Sequence, residues 1–530
     1  MIDIPKPGAE QSASQKEDCG NDSLAANESL ATNESLAANE SLAAIDIGSN
    51  SFHLVVARVS NGTLQPLVQD KALVRLASGL DEDNMLSEEA IERALEVLQS
   101  FAETVKNISA NNIRAVATYT LRRAKNRQAF LRRAKKIFPF PIEVITGDEE
   151  ARLIYQGIAN THHTEGKRLV IDIGGGSTEF ALGENFTPLQ LSSQPMGCIS
   201  YTKRFFADGE ITAQRFNAAE TSAQQRLEVI DRRFCNTGWQ AALGSSGTAK
   251  AIAQYIQSKE GFEGGTFNIN DLLDMRNDLI QAGHCDKIKG IDEHRKRVIS
   301  AGLAIMMAAF KSLEIQEMGL ADAALREGVL YDLTERMEHQ DIRERTVNSL
   351  VARYDIDQEQ VSRVVTTTEG LFSAYKGELS PSNQMAFGRI LDWAARLHEI
   401  GLHINRRAIQ RHSRYILENI EMPGFSTEDQ KVLALLVGSY RKRFQSADFE
   451  QFSQYEENQI FILVVILRLS ALLHQRRLDN YIPDFSFKIS DMSAQLSFPK
   501  GWLAERPLVS ADLKAEADFL KAKGFVLDIA

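Results

Sequence analysis

The sequence predicts an α/β protein with two similar sheet-centred lobes facing each other across a cleft, then a nearly all-helical region and a small β-containing end. Three observations predict it. The segments AIDIGSNS at 44–51 and VIDIGGGS at 170–177 are two copies of one device: an apolar strand ending in Asp, a small-residue turn, and a second strand. From about 337 to 484 the apolar residues follow helical spacing with few Gly or Pro. From Phe485, FSFKIS and AQLSF return to alternation of period two.

In order, residues 21–44 are a six-residue repeat (NDSLAA, NESLAT, NESLAA, NESLAA). Its leucines advance by about 240° net per copy on a helix, so they share no face, and residues 1–42 are expected to be a disordered, dispensable leader. Folded sequence is expected from Ala43: strand, turn and strand through Val59, a hairpin turn at Ser60-Asn61-Gly62, a helix over 88–107 and a strand near 111–120. Arg122–Lys136 reads as one basic helix with eight basic residues and no acid, Pro141–Thr146 as a strand, and a helix begins at Asp148. The first lobe is thus expected over 43–153, the second over 154–336, the helical domain over 337–484 and the small C-terminal domain over 485–530.

Composition limits the function classes. The 530 residues are 43% apolar and 25% charged, which fits packed cores and excludes a largely disordered or fibrous chain. A net charge of −11 argues against a protein that coats nucleic acid. Cys19, Cys198, Cys235 and Cys285 lack metal spacing, so neither a disulfide framework nor a zinc module is expected. The N-terminus has no apolar signal region, and the longest apolar runs, Val298–Phe310 and Ile460–Leu467, fall short of the roughly 20 residues a membrane span needs. A cytoplasmic protein without stable membrane insertion is expected.

The chemistry sits in the turns. Gly48, Ser49, Asn50 and Ser51 form the first, and Gly174, Gly175, Gly176, Ser177 and Thr178 the second. Glycine there is expected to permit φ > 0 and close approach, letting backbone N–H groups converge on phosphate oxygens. Asp46 and Asp172, at the strand ends, are suited to a divalent cation or a water bridging to that phosphate. A third turn, Gly244-Ser245-Ser246-Gly247-Thr248, leads into a helix and reads equally as an anion site or a helix cap.

The ordered segments AAIDIGSNSFHLVVARV, VATYTLRRAKN, ITGDEEARLIYQG, LVIDIGGGSTEF, ALGSSGT and DAALREGVLY together resemble the exopolyphosphatase/guanosine-pentaphosphatase phosphatase family, within the actin-like (ribonuclease-H-like) ATPase superfold. The resemblance covers about residues 43–525 and implies two actin-like lobes, hydrolysis of phosphoanhydride bonds, magnesium with potassium stimulation, and a homodimer formed through the C-terminal half. It implies Glu150 as the base that activates water, Arg122 as a phosphate-contacting arginine, and Asp172 and Glu179 as metal- or water-positioning groups with Asp46 opposite. That division matches what in-line hydrolysis needs: a base, an oriented water, and positive charge on the phosphoryl oxygens. Glu149 reads as a first-turn acid favoured by the helix dipole, and Arg75 is a further cationic candidate.

The helical region resembles an HD domain, but its diagnostic pair is His398-Glu399 where that family has His-Asp. A working metal centre from His398, Glu399, His403 and His412 is therefore not expected. Arg406, Arg407, Arg411 and Arg414, then Arg441, Lys442 and Arg443, then Arg476 and Arg477 form basic clusters that read either as a polyanion track or as scattered surface charge. The leading expectation is processive exopolyphosphatase activity on inorganic polyphosphate. The second is hydrolysis of guanosine 5′-triphosphate 3′-diphosphate (pppGpp) to the tetraphosphate. A nucleotide-binding kinase or ATPase and a non-enzymatic sensor are the alternatives from other classes.

Overall fold

The computed structural model describes residues 41–60, 63–162, 166–258, 266–288, 290–337, 341–442, 444, 449, 452 and 454–530. The repeats before Ser41, the turn residues Asn61 and Gly62, and Arg443 lie outside the described residues.

The first sheet contains β1 (Ser41–Ile47), β2 (Ser51–Ser60), β3 (Thr63–Leu73), β4 (Ile113–Ala117) and β5 (Ile142–Val144), in the order β3-β2-β1-β4-β5. The second contains β6 (Lys167–Ile173), β7 (Thr178–Glu184), β8 (Thr187–Gln194), β9 (Ala241–Gly244), β10 (Thr266–Asn268) and β11 (Glu317–Leu320), in the order β10-β11-β9-β6-β7-β8. Each begins with an antiparallel meander and then adds parallel strands, β4 on β1 and β9 on β6. β1 and β6 also share one burial pattern, partly exposed only at the first residue and at the Asp. The duplication visible in the two Asp-Ile-Gly motifs is therefore a duplication of topology.

Among the described residues β1 starts at Ser41, two residues before the expected Ala43, and the last repeat copy runs into it: Leu42, Ala43 and Ala44 are fully buried.

The first lobe carries α1 (Glu88–Val105), α2 (Tyr119–Arg123), α3 (Arg127–Ala134) and α4 (Gly147–Thr161). The expected single basic helix over 122–136 is two helices, broken where Ala124 turns extended. The break lets α2 close the end of β4 while α3 buries Phe130, Leu131 and Ala134 in the lobe's core. The second lobe carries α5 (Cys198–Phe205), α6 (Ala213–Leu227), α7 (Asp231–Thr237), α8 (Gly247–Gln257), α9 (Ile269–Ala282), α10 (Glu293–Ser312) and α11 (Leu325–Met337).

Two helices join the lobes. α4 packs on β7 and β8 of the second lobe, and α11 packs on β1 of the first. They share one apolar cluster with Ala44 and Val55 from the first sheet and Val170 and Ala181 from the second. They cross at Gly157 and Gly328, where a Cβ on Gly328 would stand 1.7 Å from the Leu153 carbonyl oxygen. Only glycine permits that approach.

The helical domain comprises α12 (Ile342–Arg353), α13 (Gln358–Tyr375), α14 (Pro381–Leu397), α15 (Ile409–Asn419), α16 (Thr427–Ser439) and α17 (Glu457–Leu473). α17 is buried along nearly its whole length and forms the centre of this core. The end of the chain adds β12 (Ser486–Ser490), β13 (Ser493–Ser497), α18 (Pro507–Lys521) and β14 (Val526–Ile529), with the sheet ordered β12-β13-β14. No helix among the described residues is long and apolar enough to cross a membrane.

Candidate functional site

The two Asp-Ile-Gly turns meet between the lobes. In β1/β2 register Asp46 lies opposite His53, and in β6/β7 register Asp172 lies opposite Glu179. Period-two geometry puts each pair on one face of its sheet. Glu150 arrives from the first turn of α4, which Thr146 starts by accepting the Glu149 N–H on its hydroxyl. Asp46, Glu150, Asp172 and Glu179 are therefore gathered from β1, α4, β6 and β7.

Their electrostatics are those of crowded carboxylates. Burial, followed by the charge of Glu150, pushes Asp46 up to about 8, against a weaker opposing pull from Arg326. Burial also pushes up Glu179, well above the usual carboxylate range, and the charges of Glu150 and Asp172 add to it. Asp172 is raised by burial, partly offset by the Ser245 hydroxyl, which donates to Oδ2 at 2.5 Å, and by the charge of Arg295. Glu150 is raised by burial and held down by Arg122, whose Nη1 donates to Oε2 at 3.1 Å and to the Ile145 carbonyl at 3.0 Å. Glu179 Oε1 accepts from Ser193 Oγ at 2.8 Å.

The expected positive φ is not found at the glycines of the three turns. Gly48, Gly174, Gly175, Gly176, Gly244 and Gly247 all lie outside the left-handed region. What they permit is close approach by protein groups. A Cβ on Gly175 would stand 3.1 Å from Ser49 Cβ, and one on Gly176 would stand 2.1 Å from the Tyr119 ring, so the two lobes touch at these turns. The Gly174 and Gly175 carbonyls accept the N–H groups of Cys198, Ile199 and Ser200, which ties the second turn to the start of α5. In the first turn, Ser49 Oγ accepts from Thr120, Ser51 Oγ pairs with His53, and the Asn50 carbonyl accepts the Arg75 N–H at 2.8 Å. Arg75 thus braces the first turn through its backbone. Ser177 hydrogen-bonds Glu179, whereas buried Thr178 donates to the Met196 carbonyl.

The third turn is a helix cap with one residue aimed into the cleft. Ser246 caps α8 by accepting the Ala249 N–H, and Thr248 donates to the Ile173 carbonyl. Ser245 reaches Asp172. Above Gly247 lies Arg295 of α10, close enough that a Cβ there would stand 2.0 Å from its Nη2.

Three residues joined to this site were not singled out from sequence. Arg295 acts on Asp172, and Arg326 of α11 acts on Asp46 and donates to His53 Nδ1 at 3.1 Å. His53 is held down to about 4 by burial and by the Arg326 charge, and so is neutral. Arg326 lies in the ALREG segment, which was legible as a motif though not as a site. Arg295 sits in a run of basic residues with no distinguishing spacing, so only the fold reveals it.

The carboxylates suit a hard divalent cation by donor type: oxygen ligands in a partly closed cleft. No described residue donates a hydrogen bond to the Asp46 carboxylate, whose pKa is raised first by burial and then by the charge of Glu150. Among the described residues, the potential ligands that converge to within 4.8 Å are instead the neighbours His284, Cys285 and Asp286. There His284 Nδ1 already accepts the Asp286 N–H.

In the helical domain, His398 is buried, its Nδ1 against the Ala395 carbonyl and its ring edge-on to Tyr440. Glu399 is engaged by Arg477 Nη2 at 2.6 Å, and His403 packs against Tyr354. His398, Glu399, His403 and His412 form no converging ligand set among the described residues. Of the basic clusters, Arg406, Arg407 and Arg411 are exposed, but Arg414 pairs with Glu418, and Arg477 with Asp357 and Glu399.

Residues 55–337 match the model of the Ppx/GppA phosphatase family, and residues 342–517 match that of Ppx/GppA phosphatase, domain III. The chain is 39% identical over 475 residues to a guanosine-5′-triphosphate,3′-diphosphate pyrophosphatase of Pseudoalteromonas translucida, covering 89% of this chain and 95% of the relative. It is 38% identical over 487 residues to the protein of the same name from Aeromonas salmonicida, covering 91% and 97%. Among solved structures, an exopolyphosphatase from Cytophaga hutchinsonii aligns with a TM-score of 0.51 at 24% identity, over 56% of this chain and 98% of that one, and shares the fold.

Proposed function

The chain belongs to the Ppx/GppA phosphatase family, and from that premise we propose that it hydrolyses the terminal 5′ phosphoanhydride of pppGpp, releasing orthophosphate and the tetraphosphate. The substrate rests on one observation: relatives 38–39% identical over nearly the full chain carry that name. This reverses the order expected from sequence, which put inorganic polyphosphate first; the second turn carries three successive glycines, Gly174 to Gly176. That turn packs against Tyr119 and Ser49, so its third residue answers to the opposite lobe as well as to the substrate. Polyphosphate remains the second substrate of this reading.

In the mechanism we favour, the terminal phosphoryl group sits between the turns at 48–51 and 174–178. Glu150, held by Arg122, takes a proton from the attacking water as the bond to the bridging oxygen breaks. Arg122 faces the charge that develops on the phosphoryl oxygens. Asp46, Asp172 and Glu179 would hold a divalent cation, magnesium in this reading with potassium as a stimulant, and that cation would neutralise phosphoryl charge. Ser245 and Ser193 fix the carboxylates of Asp172 and Glu179. A cytoplasmic homodimer assembled through the C-terminal half completes the reading, and light scattering on the full chain checks the dimer.

The test is orthophosphate release from pppGpp and from long-chain polyphosphate, side by side with magnesium, with Glu150→Gln as control. Release from pppGpp that the variant loses supports the assignment. Faster release from polyphosphate restores the other substrate, and release from neither removes the enzymatic reading.

A further inference from the structure

Glu149 and Glu150 are neighbours on the first turn of α4 and point to opposite sides. Glu150 faces Arg122 and the cleft. Glu149 faces the helical domain, and its side chain is 1% exposed. Arg152 donates to both its oxygens, from Nε at 2.7 Å and from Nη2 at 2.8 Å. Its Oε2 also accepts the backbone N–H of Gly424 at 2.9 Å. Arg114 of β4 lies 3.7 Å from Oε1 and binds Glu143 and Asp332, and Asp332 returns to Arg152. One buried carboxylate thus joins β4, α4, α11 and the helical domain.

The helical domain's side of this contact is built for the purpose. Gly424 lies at φ +87, and a Cβ on it would stand 2.4 Å from Ile342 Cγ2, so the turn requires glycine. Two further bonds seat the turn: Thr346 Oγ1 donates to the Pro423 carbonyl, and Thr427 Oγ1 donates to the Val144 carbonyl at the end of β5. Next to Val144, the Ile145 carbonyl accepts from Arg122, which also holds Glu150. Both routes from the docked turn, through Glu149 and through the end of β5, lead to the Glu150–Arg122 pair.

We infer that Glu149 is a positioning residue through which docking of the helical domain at Gly424 fixes the orientation of Glu150. A first turn of α4 released on that side leaves Glu150 free to swing from the attacking water, and a misplacement of about 1 Å costs on the order of 100-fold in rate. Substrate binding by the turns at 48–51 and 174–178 does not pass through Glu149, so the effect falls on kcat and spares KM. This inference rests on the phosphohydrolase reading above.

The experiment is a double-mutant cycle in the full chain with Glu149→Gln and Gly424→Ala, assayed on pppGpp beside wild type. Each single variant is expected to lower kcat by about 10- to 100-fold with KM within about 2-fold. The double variant is expected to be no worse than the worse single one, because both act through one contact. Hydrogen exchange is expected to show lost amide protection over residues 147–151 in both. Folded variants with wild-type kcat, or effects that simply multiply, overturn the inference. Should Glu149→Gln not fold, Gly424→Ala alone decides: unchanged kcat, or a fall in kcat with protection over 147–151 intact, overturns it. Wild-type protein that releases no phosphate from pppGpp would instead remove the underlying reading, so the two failures are distinguishable.

Discussion

Ser49 of the first turn and Gly175 of the second face each other across the cleft, close enough that a Cβ on Gly175 would stand 3.1 Å from Ser49 Cβ. The neighbouring pair is tighter, Gly176 lying under the Tyr119 ring. The lobes therefore close on each other through glycine, and the turns that would cradle phosphate also set the width of the cleft. Gly176→Ala puts a methyl 2.1 Å from that ring, so Tyr119 must move or the lobes must part. It is expected to lower kcat/KM by at least about 10-fold, since groups from both lobes must reach one phosphorus. Tyr119→Ala in the same chain is expected to recover part of the loss. A Gly176→Ala enzyme with wild-type kcat/KM would show that closure at this pair is not needed for turnover.

Glu150→Gln removes the proposed base and keeps its shape. The expected loss in kcat is about 100- to 10,000-fold, the range that general-base catalysis supplies. Thermal unfolding should be little changed, which separates a catalytic loss from a folding one.

Arg122 holds Glu150 and the Ile145 carbonyl with one nitrogen. Its charge also opposes the burial that raises the Glu150 carboxyl, with Asp172 pushing the other way. In Arg122→Gln the carboxyl keeps its proton to higher pH. The acid limb of the kcat–pH profile is expected to move upward, with kcat falling about 100-fold as charge stabilisation is lost. An acid limb that stays in place would detach Arg122 from the base.

The carboxylate cluster predicts how stability depends on pH and cation. Asp46 is raised in the folded state to about 8, and Asp172, Glu150 and Glu179 are raised too. A folded carboxyl with a raised pKa binds its proton more tightly than the unfolded chain does. Its contribution is fully present below the unfolded value near 4 and is lost as pH rises through about 8. Protein freed of divalent cations by chelation is therefore expected to melt at lower temperature at pH 8 than at pH 5. Magnesium is expected to raise Tm more at pH 8, where it meets ionised carboxylates. Equal shifts at both pH values would argue against a cation held by these residues.

Gly328→Ala places a methyl 1.7 Å from the Leu153 carbonyl oxygen at the crossing of α4 and α11. Overpacking of this kind costs about 1–3 kcal/mol or more, and here no flexible side chain can yield. Denaturant unfolding should register the loss. Since α11 also carries Arg326, activity should fall with it. A variant as stable as wild type would mean that the two helices separate freely.

Much was legible in the sequence alone: the duplicated strand–turn–strand device with Asp46 and Asp172 at its strand ends, and the switch from α/β to helical periodicity, are written in local spacing, while Glu150 and Glu179 were nominated through the family resemblance of motifs a few residues long. The same local signals misplaced the start of β1 and ran α2 into α3, since burial of Leu42 and the break at Ala124 depend on what packs against them. Three further matters depend on how the chain packs. Packing gave the glycines their use, as contact points for the opposite lobe. It brought Arg295 and Arg326 to the carboxylates from helices far along the chain. It also turned Glu149, which the sequence offers only as a first-turn acid, into the point where β4, α4, α11 and the helical domain meet. The physical reason is common to all three: a contact between residues far apart in the chain leaves no periodicity in it, and a buried charge declares its partner only when the fold removes water from both.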